Sequence, residues 1–229
     1  MKNLLSFCKL LIALSLILSA RAYPGDKGME EKAMIKLPEP RYESDVSIEE
    51  TLVKRRSVRD YTREPLTLIE ISQLLWAAQG TTSDGVYRTA PSAGALYPLE
   101  VYMIVGNVEG LTAGVYRYEP KGHELIMFME GDMRSRLANA ALGQSPVKNG
   151  AIDIVLTSVY NRITRKYGDR GVRYALIEIG HVGQNICLQA TAMDLASVCI
   201  GAFYDEQVRD LLKLPEEEAP LYIIPIGKQ

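Results

Sequence analysis

Apolar residues recur along this chain with two different spacings, and these predict alternating helices and strands. Helical spacing is clearest over residues 172–193 and is repeated over residues 68–79. Shorter helices are expected at residues 132–142 and 205–212. Runs rich in β-branched and aromatic residues predict six strands, at residues 99–105, 114–118, 124–129, 151–160, 195–200 and 221–226.

The ends of two helices carry recognisable sequence signals. Ser47 followed by Glu50 forms a capping box, and Thr67 followed by Glu70 forms a second one. Gly80 is expected to end the second helix, because glycine accepts the backbone geometry of a helix C-terminus. We therefore expect ordered structure to start at Ser47.

Residues 1–22 have the composition of a secretory signal. Positive charge from two lysines flanks an apolar stretch at residues 10–18, and Ala20-Arg21-Ala22 follows as a cleavage site. The apolar stretch is shorter than the roughly 20 residues of a membrane span. We expect an exported, periplasmic or otherwise extracytoplasmic protein with a cleaved signal, the alternative being an uncleaved N-terminal membrane anchor.

The rest of the chain divides into an arm and one domain. Residues 23–46 are charged, lack periodicity and contain Pro38 and Pro40, which predicts a flexible arm that acts as a tether or wraps the domain. Residues 47–229 suffice for one domain with a sizeable core. Because helices interleave with strands while the central strands follow each other directly, the pattern predicts an α+β fold with a mixed sheet flanked by helices.

Composition excludes several classes of function. Lys and Arg number 26 against 28 Asp and Glu, so no basic surface for nucleic acid is expected. Only Cys187 and Cys199 follow the signal, which excludes a disulfide scaffold; two buried thiols are favoured over a single bridge. No metal site is predicted, because Glu178-x-x-His181 lacks the second copy that a di-metal carboxylate site needs. The chain also lacks a G-x-S-x-G elbow and a Walker loop, the usual signatures of acyl transfer and nucleotide hydrolysis.

An arginine-rich sequence follows the first predicted helix. Arg55, Arg56, Ser57 and Arg59 place three guanidinium groups and a hydroxyl within five residues, which suits a phosphate and a polar ring edge. The alternative interpretation is a solvated helix end that complements the helix dipole.

Two segments of small residues could allow a backbone to approach a ligand closely, because no side chain blocks the way. The first lies in a proline-bounded loop before a strand and consists of Pro91, Ser92, Ala93 and Gly94. The second, Gly201 and Ala202, ends a predicted strand and could lie against a planar ligand. An ordinary turn and an ordinary strand exit are the alternatives.

Lys166 and Tyr167 lie between a predicted buried strand and the longest predicted helix. A lysine beside a tyrosine at a strand exit can donate or remove protons if it is partly desolvated. The alternative is a charged surface turn.

Taken in this order, these regions resemble the flavin-dependent nitroreductase superfamily over Ser47 to the C-terminus. The branch resembled is that of the SagB-type oxidases, which dehydrogenate azoline rings in modified peptides. The resemblance is carried by Arg55-Arg56-Ser57-Val58-Arg59, by residues 91–98 and 166–174, and by Gly180-His181-Val182-Gly183-Gln184-Asn185.

The resemblance implies an FMN-binding homodimer with a flavin site at each subunit interface. Arg55, Arg56 and Ser57 would hold the phosphate and ribityl chain, and Arg59 would face the N1/O2 edge of the isoalloxazine. Residues 91–94 would contribute from the partner subunit. Gly201 and Ala202 would lie near the N5 side, Lys228 would help to neutralise the phosphate, and Lys166 and Tyr167 would handle protons.

The activity that the resemblance implies is that of an FMN-dependent oxidoreductase that transfers hydride through flavin N5. A SagB-type dehydrogenase or oxidase would act on a small molecule or a peptide heterocycle. The alternatives are a reductase of nitro compounds or quinones linked to NAD(P)H or quinone, and, from another class, a non-catalytic exported flavin-binding protein.

Overall fold

The computed structural model describes residues 34–82 and 85–229. The signal peptide predicted over residues 1–22 lies outside these ranges, so export and cleavage stay predictions. Within the described ranges, no helix is both long enough and apolar enough to cross a membrane.

Seven strands form one sheet, in the order β1-β4-β3-β2-β5-β7-β6. Each of the six pairings between neighbouring strands is antiparallel. Together with the flanking helices, this confirms the α+β class predicted from the sequence. The strands are β1 Met34–Lys36, β2 Leu99–Val105, β3 Gly114–Glu119, β4 Glu124–Glu130, β5 Ile152–Val159, β6 Leu195–Ser197 and β7 Glu218–Lys228.

Seven α-helices surround the sheet in the described ranges. The longest, α6, spans Arg170–Ala192 and agrees with the predicted helix at residues 172–193 to within two residues. The others are α1 Ile48–Lys54, α2 Leu68–Gln79, α3 Arg134–Ala140, α4 Ser145–Asn149, α5 Asn161–Tyr167 and α7 Asp205–Leu212.

The helices lie in two layers because the central strands are apolar on both faces. Successive residues of a strand point to opposite faces, so Met103 and Ile104 of β2 belong to different hydrophobic clusters. Met103 joins the cluster that α2 and α6 cover, whereas Ile104 joins the cluster that α3, α4 and α7 cover. The sheet is therefore the middle layer of three.

The predicted capping residues begin both helices, although only one capping box is reciprocal. At α2, the Thr67 hydroxyl accepts the backbone N–H of Glu70 (3.3 Å), and the Glu70 carboxylate accepts the N–H of Thr67 (2.8 Å). At α1, Ser47 caps the backbone of Glu50 (3.1 Å), but the Glu50 carboxylate binds Lys54 instead (2.6 Å). Gly80 ends α2 as predicted.

The prediction of a flexible arm up to residue 46 is wrong for the part that the structure describes. Met34–Lys36 forms β1, an edge strand paired with β4, and Leu37 is buried. His123 anchors the next turn, because its Nε2 lies 3.1 Å from the carbonyl oxygen of Pro38. A three-residue edge strand is too short to give a periodic pattern, which explains why the sequence did not reveal it.

Two short helices also differ from the prediction. Lys166 and Tyr167 were expected at a strand exit, with a surface turn as the alternative, but both lie in the last turn of α5. Ser145–Asn149 forms α4, for which no helix was predicted. Helices of five or seven residues complete too few turns for the spacing of apolar residues to distinguish them from loops.

Asp153 of β5 is a buried carboxyl whose replacement by Asn should stabilise the protein increasingly as the pH rises. Burial raises its pKa well above the ordinary value, so the folded state holds the proton more tightly than the unfolded state. The protonated carboxyl therefore adds to the free energy of unfolding below the unfolded-state pKa. As the pH rises, this added stability is lost, by at most about 1.4 kcal/mol per pH unit. Asp153→Asn removes that loss.

The measurement is the melting temperature of Asp153→Asn and of the unchanged protein, from about pH 5 to about pH 8. The stability of the variant relative to the unchanged protein should rise with pH and level off once the pH passes the raised pKa of Asp153. Asp210→Asn, at an exposed position on α7, controls for the general effect of exchanging a carboxyl for an amide. Parallel curves for Asp153→Asn and the unchanged protein would contradict the prediction.

Candidate functional site

The arginine segment, residues 55–59, is held along the sheet by backbone hydrogen bonds. The N–H of Val58 donates to the carbonyl oxygen of Ser197 in β6 (3.0 Å), and the N–H of Thr62 donates to that of Lys228 in β7 (3.0 Å). The ring of Tyr61 packs on Gly227, where an added Cβ would lie 2.8 Å from Tyr61 Cβ. The absence of a side chain at Gly227 therefore lets the chain that follows the segment approach β7.

The arginine segment carries positive charge that no carboxylate of the described residues neutralises. Arg56 Nη1 donates to the carbonyl oxygens of Val53 (2.8 Å) and Arg55 (2.7 Å), and Arg59 is exposed. In residues 34–82 and 85–229, no ion pair joins Arg55, Arg56 or Arg59 to a carboxylate. Guanidinium groups without carboxylate partners are suited to binding an anion.

Lys228 differs from these arginines because its charge has a partner inside the chain. Its ammonium group forms an ion pair with Glu70, the carboxylate of the α2 capping box, and both side chains are largely buried. Burial alone would raise the pKa of Glu70, but the hydrogen bonds from Lys228 and Thr67 hold it below its ordinary value. The predicted phosphate role of Lys228 thus remains a prediction, for a group that already stabilises α2.

The predicted loop and the predicted Lys–Tyr pair lie together in the same chain. Gly94 has a positive φ of 64°, and a Cβ added there would lie 2.7 Å from the Tyr167 hydroxyl and 2.9 Å from Lys166 Nζ. The Ser92 hydroxyl accepts the backbone N–H of Tyr97 (2.9 Å), which fixes the turn around Gly94. We call Gly94, Lys166 and Tyr167 the lysine–tyrosine cluster.

The last turn of α5 orients the lysine–tyrosine cluster. Lys166 Nζ lies 5.3 Å from the centroid of the Tyr167 ring, and that ring packs edge-on against Tyr174 of α6 at 5.2 Å. Lys166 is exposed and Tyr167 is half-buried, so both polar ends can reach a ligand from a defined direction. A lysine and a tyrosine side by side offer two groups that can exchange a proton with a ligand.

A buried polar network lies beneath the loop, and its role was not predicted from the sequence. Arg88 Nη1 donates to Gln79 Oε1 (2.9 Å), and the Arg88 guanidinium lies 4.5 Å from the centroid of the Tyr97 ring. Glu178 of α6 is 1% exposed, and burial raises its pKa to about 7, although Ser92 and Gln79 favour the charged form. Arg88 thereby connects Gln79 of α2 with Tyr97 of the loop.

Gly201 and Ala202 lie beyond the point where Ile200 pairs with Ile223 (2.8 Å), and both are exposed. Gln144 Nε2 donates to the carbonyl oxygen of Ala202 (3.0 Å) and so holds the backbone. The Tyr222 ring lies 4.0 Å from a Cβ added at Gly201. This short stretch presents backbone rather than side chains to a ligand.

The predicted site residues therefore fall into two groups. The contacts given above connect the arginine segment with β6 and β7, and they connect residues 91–94 with Lys166 and Tyr167. The sequence did not indicate the supporting roles of Tyr61 and Gly227, since only their packing reveals them. A polar residue at position 178, within a helix that is otherwise apolar on its buried side, was the one available signal for the network below the loop.

Comparison with known proteins agrees with the fold. The model of the nitroreductase family matches residues 52–228. "Putative nitroreductase MJ1384" of Methanocaldococcus jannaschii is 44% identical over 185 residues, which are 81% of this chain and 92% of that protein. The microcin B17-processing protein McbC of Escherichia coli is 30% identical over 168 residues, 70% of this chain and 62% of McbC.

Comparison with solved structures leads to the same conclusion. A chain in the E. coli microcin synthetase McbBCD complex with truncated pro-MccB17 bound superposes with a TM-score of 0.66 at 25% identity. The match covers 91% of this chain and 85% of that one. Because the family model matches most of its length, this chain belongs to the nitroreductase family of oxidoreductases.

Proposed function

We propose that this protein is an FMN-dependent oxidoreductase that works as a homodimer and oxidises heterocycles in a modified peptide. The main support is the arginine segment, whose three guanidinium groups lack carboxylate partners in the described chain, within a nitroreductase-family match. FMN, when bound, supplies a hydride acceptor and donor at N5. The chain's own residues must bind it, orient it and manage protons.

The residues present fit an FMN phosphate and ring edge. Arg55, Arg56 and Ser57 would hold the phosphate and ribityl chain, since guanidinium groups and hydroxyls donate to phosphate oxygens. Arg59 would face the N1/O2 edge, where its positive charge stabilises the negative charge of reduced flavin. Because the N–H of Val58 is bonded to β6, the backbone from which these donors extend has a fixed position before the ligand arrives.

The two groups of site residues are proposed to meet across a dimer interface. On this proposal, residues 91–94 of one subunit serve the FMN held by the arginine segment of the other. Gly201 and Ala202 would lie against the ring near N5, where exposed backbone without bulky side chains leaves space. Lys228 would contact the phosphate while it also keeps its ion pair with Glu70, so its positive charge would serve both groups.

The exposed face of α6 supports dimerisation. Val172, Leu176 and Ile177 are 37%, 49% and 51% exposed, although apolar side chains of this size are normally buried. Gly180, one turn further on, has no atom within 4 Å of an added Cβ. A second copy of the helix could therefore approach closely at this point, as a symmetric interface requires.

Similarity to McbC, a microcin B17-processing protein, favours a peptide substrate. Oxidation of an azoline ring to an azole removes a hydride and a proton, so the site needs a group that takes up the proton. The neutral amine of Lys166 or the phenolate of Tyr167 would take up this proton, and the polar ends of both side chains lie next to the loop at Gly94. Similarity to "Putative nitroreductase MJ1384", which extends over 92% of that protein, favours a second candidate, reduction of nitro compounds or quinones.

Arginine substitutions should weaken FMN binding. Arg56→Ala or Arg59→Ala removes a charge-assisted hydrogen-bond donor worth about 1.5–3 kcal/mol, which corresponds to a rise in the FMN dissociation constant of about tenfold or more. Arg136→Ala, an exposed arginine on α3, is the matched control and should leave the dissociation constant unchanged. Titration followed by flavin fluorescence measures it. A purified protein that neither carries nor binds FMN would refute the proposed function.

Gly94→Ala should reduce turnover more than it reduces stability. A side chain at this positive φ costs about 1–2 kcal/mol, and Gly110→Ala, at φ 71° with open space around it, carries the same cost. Only the Gly94 variant displaces Lys166 Nζ and Tyr167 OH, and a misplacement of that kind can cost roughly 100-fold in rate. Melting temperature and kcat of both variants separate the two effects. Equal loss of kcat in the two would contradict the role of the cluster.

The substrate class is tested with peptides that contain azoline rings and with nitroaromatics and quinones. We expect the azoline peptide to lose two hydrogens, and Lys166→Ala or Tyr167→Phe to slow this about 100-fold or more, because each removes a proton-handling group. Tyr204→Phe, at an exposed tyrosine, is the control.

Reduction of nitroaromatics or quinones without azoline oxidation would favour the second candidate. If reduced flavin on the protein is reoxidised by oxygen, quinones and nitroaromatics no faster than free flavin is, the chain is a non-catalytic flavin-binding protein instead.

A further inference from the structure

Two cysteine side chains contact each other near Arg55 of the arginine segment. Cys187 lies on α6 and Cys199 lies just after β6, and their Sγ atoms are 3.4 Å apart. Cys187 is only 5% exposed, whereas Cys199 is half-buried and can be reached from solvent. The two cysteines therefore differ in access although they touch.

Their surroundings also make them chemically unequal. The hydrogen bond from Cys187 lowers the pKa of Cys199, and the Tyr222 hydroxyl and the positive charge of Arg55 lower it further. The same contact, together with burial, raises the pKa of Cys187. A thiolate is the nucleophile in thiol chemistry, so Cys199 is the residue that attacks first and Cys187 is the residue that follows.

We propose that Cys187 and Cys199 are a redox-active pair that reacts with low-molecular-weight disulfides and closes to an intramolecular disulfide. The two sulfur atoms need to approach from 3.4 Å to the bonding distance of about 2.05 Å, a movement within the reach of side chains already in contact. The thiol exchange itself needs no FMN, because neither thiol takes part in the proposed flavin chemistry.

The exchange balances without a further oxidant. The Cys199 thiolate attacks a small disulfide RSSR, forms a mixed disulfide and releases one RS⁻. Cys187 then loses its proton to the released thiolate and attacks Cys199 Sγ, which expels the second RS⁻. Overall, two protein thiols are oxidised to one disulfide, and RSSR is reduced to two RSH once both thiolates are protonated. A low-molecular-weight dithiol reverses the reaction.

Closure would join α6 to the segment that leads to Gly201. Cys199 lies two residues before Gly201, and Tyr222, which packs near Gly201, also faces Cys199. The bridge would therefore fix the backbone on one side of the candidate site, while it removes the Cys199 thiolate from the neighbourhood of Arg55. The oxidation state of the two cysteines would thus change the charge next to the arginine segment.

The experiment uses the full chain with Cys8→Ser, which leaves two of the three cysteines. The reduced protein is freed of reductant, exposed to glutathione disulfide without oxygen, quenched in acid and analysed by maleimide labelling and peptide mass mapping. We expect the loss of both thiols, no retained glutathione, and one disulfide-linked peptide pair that contains Cys187 and Cys199. Flavin absorbance of the same samples reports separately on the proposed function.

Two variants in this background separate the roles of the thiols. Cys187→Ser, with Cys187→Ala as a second version, should stop at one glutathione on Cys199. Cys199→Ser should keep its Cys187 thiol and slow glutathione attachment by about tenfold or more. Circular dichroism verifies that each variant is folded. Retention of both thiols, glutathione left on Cys199 in the presence of Cys187, or equal reactivity of the two single variants would each overturn the proposal.

Discussion

The packing of α6 against the sheet is the constraint on which the rest of the structure depends. Ile179, Val182 and Ile186 fill the cluster between this helix and the central strands, and none of them is more than 7% exposed. Once that side of a 23-residue helix is fixed, the direction of every other residue on it follows from the helical repeat. Tyr174 then meets α5, and Glu178 lies below the loop. The face opposite the sheet leaves Leu176 and Ile177 exposed.

Strong periodicity allowed the long elements to be predicted from the sequence, and weak periodicity explains what was missed. Residues 99–105 were predicted as a strand and form β2 with those bounds, because all of the seven residues except Glu100 are apolar or β-forming, which leaves little ambiguity. β7 extends past the predicted residues 221–226 at both ends. Pro220 and Pro225 lie within that strand, and proline weakens a strand signal even where the sheet tolerates it.

The candidate site shows the same division at the level of single residues. Residue types and their order indicated the arginine segment and the Lys–Tyr pair, because charge and donor chemistry are visible in a sequence. Which groups meet was not visible: Gly94 and Tyr167 are more than seventy positions apart and touch only because β2 and β5 are paired. The ion pair between Lys228 and Glu70 is another long-range contact, and it gives a residue predicted to serve a ligand a second, structural task.

The arginine segment has no secondary structure of its own and takes its order from β6 and β7. Two backbone hydrogen bonds and the contact of Tyr61 with Gly227 attach this part of the chain to β6 and β7. Fraying of the last residues of β7 would therefore release the segment at the same time, since both depend on one set of contacts. On the proposed function, anion binding would thus be a cooperative property of the sheet edge, present when the edge is closed and absent when it opens.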